Sequence, residues 1–342
     1  MQTALNKEVR KIQLTGKTTY IVSLPKKWVE DLGLSSGSLV TLIKQPSNAL
    51  LLLPDVITKL KTEEVTLLAN PNKSGESLKR MIISAYLAGY NIIHIRNKNE
   101  MISSKQKDAI REVVKRNLVG TEIIASTSNF ITIQTLASIP ELPVKSVIRR
   151  MFLLASSMHR DAMNALRELN YELADSIINS DDEIDKFSLY IMRNLILAAH
   201  NEKVLRDIGL LKASDILGYR VVVKSIERIA DHATSIAEKI KDFKIMPNVV
   251  IMNKLDDMSL FALSMFEDSI EALLRMNYEL ADSVAEKSNT ISEMEKNIIS
   301  MIDNTNLNYY KLILEDIRRV AEYASDISEV AINHTIEDML LR

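Results

Sequence analysis

With 342 residues, 46% of them apolar and 26% charged, the chain is long enough for two or three folded domains and too hydrophobic to be disordered. It has no cysteine, which excludes disulfide frameworks and thiolate metal sites. No aliphatic run approaches the ~20 residues that cross a bilayer, and the first ten residues lack an apolar core, so the sequence predicts a cytoplasmic protein that is not membrane-embedded. The formal net charge of −2 conceals an asymmetry: residues 1–57 carry +3, 58–140 carry +5 and 141–342 carry −10. A basic front half suits a polyanion, and an acidic back half suits cations or solvent.

In residues 8–14, Val9, Ile12 and Leu14 alternate with polar residues, and 20–24 form a second apolar run, so a hairpin is expected across Thr15-Gly16-Lys17. Pro25 opens a short helix over 26–32 that Gly33 stops, with Trp28 as its core anchor. Strands follow at 39–44 and 50–53. Gly16-Lys17-Thr18 has the look of a phosphate-loop tail, but the position of the required upstream glycine holds Lys11. Two hairpins are too few strands to close a barrel, which predicts an obligate homodimer completed by a second chain.

Residues 58–140 alternate strand and helix: strands at 65–69, 91–96, 121–125 and 130–135, helices at 74–88 and 104–118, and a turn at Pro71-Asn72. This is a small α/β domain with no motif that names a ligand.

From residue 143 the pattern is helical, and it repeats. NYELADS occurs at 170–176 and again at 277–283, and 15 of the 26 positions in 151–176 match 258–283. Helices are expected at 144–169, 171–200 and 214–241, then at 251–276, 278–304 and 307–340, with Pro247-Asn248 between the units. Short connections and apolar stripes make these two stacked three-helix bundles.

One stripe is broken. Leu173, Ile177, Asp181, Ile184, Phe187, Ile191 and Leu195 share a face, and an ionised aspartate there costs several kcal/mol unless a cation compensates it. Asp185 lies one turn on. The third helix sets Glu227 and Asp231 beside its own seam. Four carboxylates from two neighbouring helices suit a divalent or ferric ion (iron, zinc or magnesium). The alternative is that Arg228 or a lysine neutralises them. Carried forward by 107 residues, Asp181 and Asp185 become Ser288 and Ser292. Carried forward by 91, Glu227 and Asp231 become Arg318 and Glu322. One metal site per chain is therefore expected, in the first repeat. No histidine has Glu three residues before it, and no Ser-centred motif occurs, so the sequence gives an enzyme no support. His232 is kept as an outer-shell candidate.

The duplication, with Asp181-Asp182-Glu183-Ile184-Asp185 and the segment from Ile226 to Ala233, resembles the PhoU family of phosphate-uptake regulators. Its motifs imply metal bound by Asp181, Asp185, Glu227 and Asp231. Arg10-Lys11-Ile12, Gly16, the run from Ile21 to Trp28 and Leu32-Gly33-Leu34 resemble SpoVT/AbrB swapped-hairpin DNA-binding domains. That resemblance implies DNA contacts from Arg10, Lys11, Lys17, Lys26 and Lys27. The combination is similar to archaeal phosphate uptake regulators. The expected architecture is multidomain: an AbrB-like domain at 1–57, an α/β domain at 58–140, and an all-α PhoU-like domain at 141–342 with repeats 144–241 and 251–340. The expected function is transcriptional regulation of phosphate uptake. The alternative is an adaptor acting on a phosphate transporter component, with the N-terminal domain only dimerising.

Overall fold

The computed structural model describes residues 7–44, 48–54, 64–70, 73–97, 101–136, 143–241, 248–302 and 307–340. The expected domain boundaries near 57 and 140 and the turns at Pro71 and Pro247 lie outside them. The chain forms two compact units, 1–62 and 63–342.

In the first unit, β1 (Gln13–Thr15) and β2 (Thr19–Ile21) pair antiparallel around Gly16, whose φ of +65° favours glycine. Helix α1 (Lys26–Asp31) follows Pro25, and β3 (Val40–Lys44) pairs with β4 (Leu50–Pro54) in a separate two-stranded sheet. The first two strands are shorter than the apolar alternation suggested, because alternation marks a face and only a hydrogen-bonded neighbour makes a ladder. These faces have little to cover them within the unit. Val9, Ile12, Tyr20, Leu39, Leu42 and Leu50 are all at least 64% exposed, and Leu34 is the one buried residue among those described.

The second unit begins with β5 (Glu64–Leu68), α2 (Gly75–Leu87), β6 (Ile92–Arg96), α3 (Ser104–Arg116), β7 (Thr121–Ser126) and β8 (Phe130–Thr135). The sheet order is β5-β6-β8-β7, with β5 and β6 parallel and the other pairs antiparallel. Ser74 caps α2, and a Ser103–Gln106 capping box starts α3. Leu78 and Ile82 from α2 and Ile110 and Val113 from α3 share one core with Ile93, Ile95, Ile131 and Ile133 of the sheet.

The helical part comprises α4 (Val144–Glu168), α5 (Tyr171–His200), α6 (Glu202–Asp207), α7 (Asp215–Ile240), α8 (Val249–Arg275), α9 (Tyr278–Ser300) and α10 (Leu307–Leu340). The six long helices lie where the repeat placed them. The short α6, capped by Asn201, spans too few residues to give a periodic signal. The repeated heptapeptide has a structural cause. Leu169 and Met276 close α4 and α8 in the left-handed conformation, with φ of 49° and 55°. Asn170 and Asn277 then cap the next helix by accepting from Leu173 and Leu280 backbone N–H at 3.0 and 3.2 Å.

The α/β layer is joined to α5 by Arg193, which is only 2% exposed. It donates to the carbonyls of Tyr86 and Gly89 and to Asn91 Oδ1, and lies 4.6 Å from the Tyr86 ring centre. Lys186 adds a bond from its Nζ to the Lys115 carbonyl near the end of α3. No described helix is long and apolar enough to cross a membrane.

Candidate functional site

Helices α5 and α7 pack along their length as two members of the first three-helix repeat. Their apolar residues, Ile177, Ile184 and Ile191 on one and Val222, Ile226 and Ile229 on the other, are buried in a common core. That packing fixes the carboxylates. Asp181, Asp185 and Glu227 are half-buried, and Asp231 lies at the exposed edge. Asp181 Oδ1 is shut off from solvent and has no hydrogen-bond partner, the condition that its place in an apolar stripe foretold.

The electrostatics follow. Burial, reinforced by Asp185, Asp231, Asp182 and Glu227, pushes the Asp181 carboxyl up to about 7. Burial, with Glu227 and Asp231, pushes Asp185 up to about 6. Asp231 is also raised, first by partial burial and then by Glu227. Among the described residues neither Asp185 nor Asp231 has a hydrogen-bond or ion-pair partner. Glu227 differs: Lys224 Nζ sits 2.5 Å from its Oε1, and Ser188 donates to its Oε2. Lys224 thus contacts one carboxylate of the four, while its charge also opposes the upward shifts of Asp185 and Asp231; Arg228, over the Tyr323 ring at 5.6 Å, opposes that of Asp231 as well. Lys224 was legible as a residue one turn before Glu227; Ser188, from another helix, was not.

The side chains as they stand do not form a closed chelate. Among the described residues no group of three or more acidic or histidine side chains is gathered tightly enough to hold an ion. The donor set nonetheless fits a hard cation: several carboxylates share one face, one oxygen is orphaned, and two groups are pushed up by burial and by their acidic neighbours. His232 turns away from this face. Its Nδ1 lies 2.8 Å from Asp316 on α10, and Asp316, 4% exposed, also holds Lys239 Nζ. This inter-repeat cluster had no sequence signal, because its three members come from two helices 77 or more residues apart.

In the second repeat two of the corresponding positions are Ser288 and Ser292, and the other two, Arg318 and Glu322, are ion-paired. Arg318, in the place of Glu227, binds Glu322 and lies 3.2 Å from Glu295, while Arg319 holds the other Glu322 oxygen at 2.9 Å.

In the first unit all five basic candidates are exposed. Lys17 is at the tip of the β1–β2 hairpin, Arg10 and Lys11 lead into its open end, and Lys26 and Lys27 begin α1. Arg10 pairs with Glu8 at 3.1 Å and Lys26 with Glu30 at 3.7 Å. Among the described residues Lys11, Lys17 and Lys27 have no ion pair.

These features define a duplicated three-helix protein with four neighbouring carboxylates on two helices of its first repeat and a basic, β-rich N-terminal unit. Residues 148–240 and 255–331 match the PhoU domain model, one match per repeat. A phosphate-specific transport system accessory protein PhoU homolog 1 from Thermotoga maritima is 30% identical over 206 residues, covering 55% of this chain and 84% of that protein. The homolog from Clostridium acetobutylicum is 24% identical, covering 55% and 88%. The chain belongs to the PhoU family. Among solved structures, PhoU from Streptococcus pneumoniae is 22% identical with a TM-score of 0.47, covering 55% of this chain and 91% of that one. Residues 13–59 match the model for antidote-toxin recognition MazE, bacterial antitoxin, consistent with the AbrB-like N-terminal expectation. The relatives named are bacterial.

Proposed function

We propose that this PhoU-family chain is a dimeric, non-enzymatic, DNA-binding regulator of phosphate uptake whose first helical repeat binds a divalent or ferric ion, acting in the cytoplasm as the archaeal regulators it resembles are expected to. The observation that carries the reading is the first unit, basic and nearly coreless, in the same chain as a PhoU-family bundle. With Leu34 alone buried among its described residues and most of their large apolar side chains exposed, that unit gains a core by pairing with a second copy. Pairing doubles its positive charge on one body, and Arg10, Lys11, Lys17, Lys26 and Lys27 then supply phosphate contacts and part of the base readout.

Support for the ion comes from Asp181, Asp185, Glu227 and Asp231, which would hold it. An ion held there would supply the positive charge under which Asp181 and Asp185 could ionise in place, and Glu227, which accepts from Lys224 Nζ, would be free to turn to it. The adaptor reading, in which the relatives' association with phosphate-specific transport systems extends to this chain and the first unit only dimerises, is favoured by one observation: Arg10 and Lys26 already have acidic partners.

DNA binding separates the two. Genomic pull-down followed by fluorescence anisotropy on the recovered fragment should show affinity that falls steeply with salt. Arg10→Ala with Lys11→Ala should weaken it by about 1–3 kcal/mol. Salt-insensitive binding, or an unchanged double variant, leaves the adaptor.

A further inference from the structure

The two edges of the α/β sheet are built differently. Strand β7 carries a register shift between Ile123 and Ala125, a bulge of the kind that guards an edge against pairing. Strand β5 has no bulge, proline or lysine, and among the described strands it is hydrogen-bonded on one side only, to β6. Beside it, against α2, runs an open groove of about 490 Å³, within the roughly 300–1,000 Å³ of ligand clefts. Val65, Leu67, Met81, Ala85 and Tyr90 line it, with Ser77 and Ser84 between them.

The charges along the groove are one-sided. Lys79, on the same helix, is spent on Glu76 at 2.9 Å and Glu112 at 2.6 Å. Arg80, on the groove wall, has no ion-pair partner among the described residues. Neither has Lys73, whose Nζ sits 3.8 Å from Met81 Sδ. Among the described residues, a strand edge without a neighbour, a largely apolar lining and two cations without ion pairs lie together. Nucleic acid would satisfy the cations but leave the apolar lining wet.

We propose that the groove between β5 and α2 docks an extended acidic peptide strand of a partner protein, added to the sheet beside β5. The free backbone edge of β5 supplies main-chain hydrogen bonds, as in strand addition elsewhere. Alternate side chains of the peptide descend onto Val65, Leu67 and Met81, and carboxylates on the same face meet Lys73 and Arg80. A second copy of this chain fits less well, since antiparallel β5–β5 pairing would bring two Arg80 side chains towards each other. This site is independent of the ion and DNA readings and can stand or fall without them.

The test uses the full chain and a labelled eight-residue probe, Ser-Leu-Thr-Val-Thr-Asp-Ser-Asp, whose one strand face presents Leu, Val and both Asp. A counterpart has Lys for both Asp. Fluorescence anisotropy should show saturable binding of the acidic probe and at least tenfold weaker binding of the basic one. Lys73→Glu with Arg80→Glu should reverse that preference; both residues are exposed, so the variant keeps its core. Hydrogen exchange should slow in β5 on binding and stay unchanged in β7. No binding of either probe up to about 1 mM, equal binding of both, or binding indifferent to the charge reversal overturns the proposal. So does probe-free, concentration-dependent protection of β5, which would assign the groove to a second copy.

Discussion

The two helical repeats share a backbone plan and differ in how they hold charge at equivalent places. In the first, Ser188 of α5 donates to Glu227 of α7. In the second, the equivalent residues are Glu295 and Arg318, and they meet as an ion pair at 3.2 Å. The contact is kept while donor and acceptor change helices. Around it the first repeat has Asp181 and Asp185, both raised first by burial and then by neighbouring carboxylates, and the second has Ser288 and Ser292. A helical hydroxyl can satisfy itself on its own backbone. At these equivalent positions the second repeat pairs its charges, whereas the first leaves Asp181 and Asp185 without a cation in contact among the described residues.

The seam between the repeats shows the same drift. Phe152 meets Phe266 edge-on at 5.0 Å. The symmetry-related contact is His159 Nε2 with Ser259 Oγ at 2.9 Å, wholly buried, with His159 pushed down to about 4 by burial. Duplication preserved which positions touch. Substitution decided whether each contact is apolar, hydrogen-bonded or ionic.

The largest expected effect is on ion binding. Metal titration of the purified protein should give one ion per chain. Asp181→Ala or Glu227→Ala should weaken it beyond the roughly 10–100-fold that loss of an outer-shell group brings. Stoichiometric metal surviving both substitutions would break the contrast between the repeats. Its converse sharpens it: Ser288→Asp, Ser292→Asp and Arg318→Glu together should raise the stoichiometry from one to two by calorimetry or elemental analysis, because they restore the first repeat's four carboxylates.

Stability effects are smaller. Arg318→Ala leaves Glu295 without its guanidinium and Glu322 with Arg319 alone, which should cost about 1–3 kcal/mol in denaturant unfolding for a partly buried pair. A neutral result would mean the second repeat does not depend on its internal ion pairs. The smallest effect is the pH dependence of the metal-free protein. Asp181 titrates near 7 when folded against an ordinary 3.8, so the folded state holds its proton more tightly. The stability this contributes is complete below about pH 4 and is lost as pH rises through about 7. In EDTA the Tm should therefore fall between pH 5 and 8 by about 2–4 °C more in the wild type than in Asp181→Asn, the partial exposure of the site limiting the difference. Identical slopes would show that the cluster is solvated.

The sequence alone determined the six long helices, the order of elements in the α/β layer and the duplication, because apolar periodicity and Asn or Ser caps are local properties that survive without a partner. It also located Asp181, since a charge in an apolar stripe is visible wherever the stripe is. Only the tertiary structure decided what surrounds those residues. Ser188 closes on Glu227, Asp316 reaches from α10 to His232 and Lys239, and Arg193 leaves α5 to bind three groups of the α/β layer. In the first unit the alternation of apolar residues marked the faces correctly but overextended the first two strands, because a strand ends where its hydrogen-bonding neighbour ends. Contacts such as these join residues from about 40 to more than 100 positions apart, and no local pattern of side chains encodes which distant helix will lie alongside.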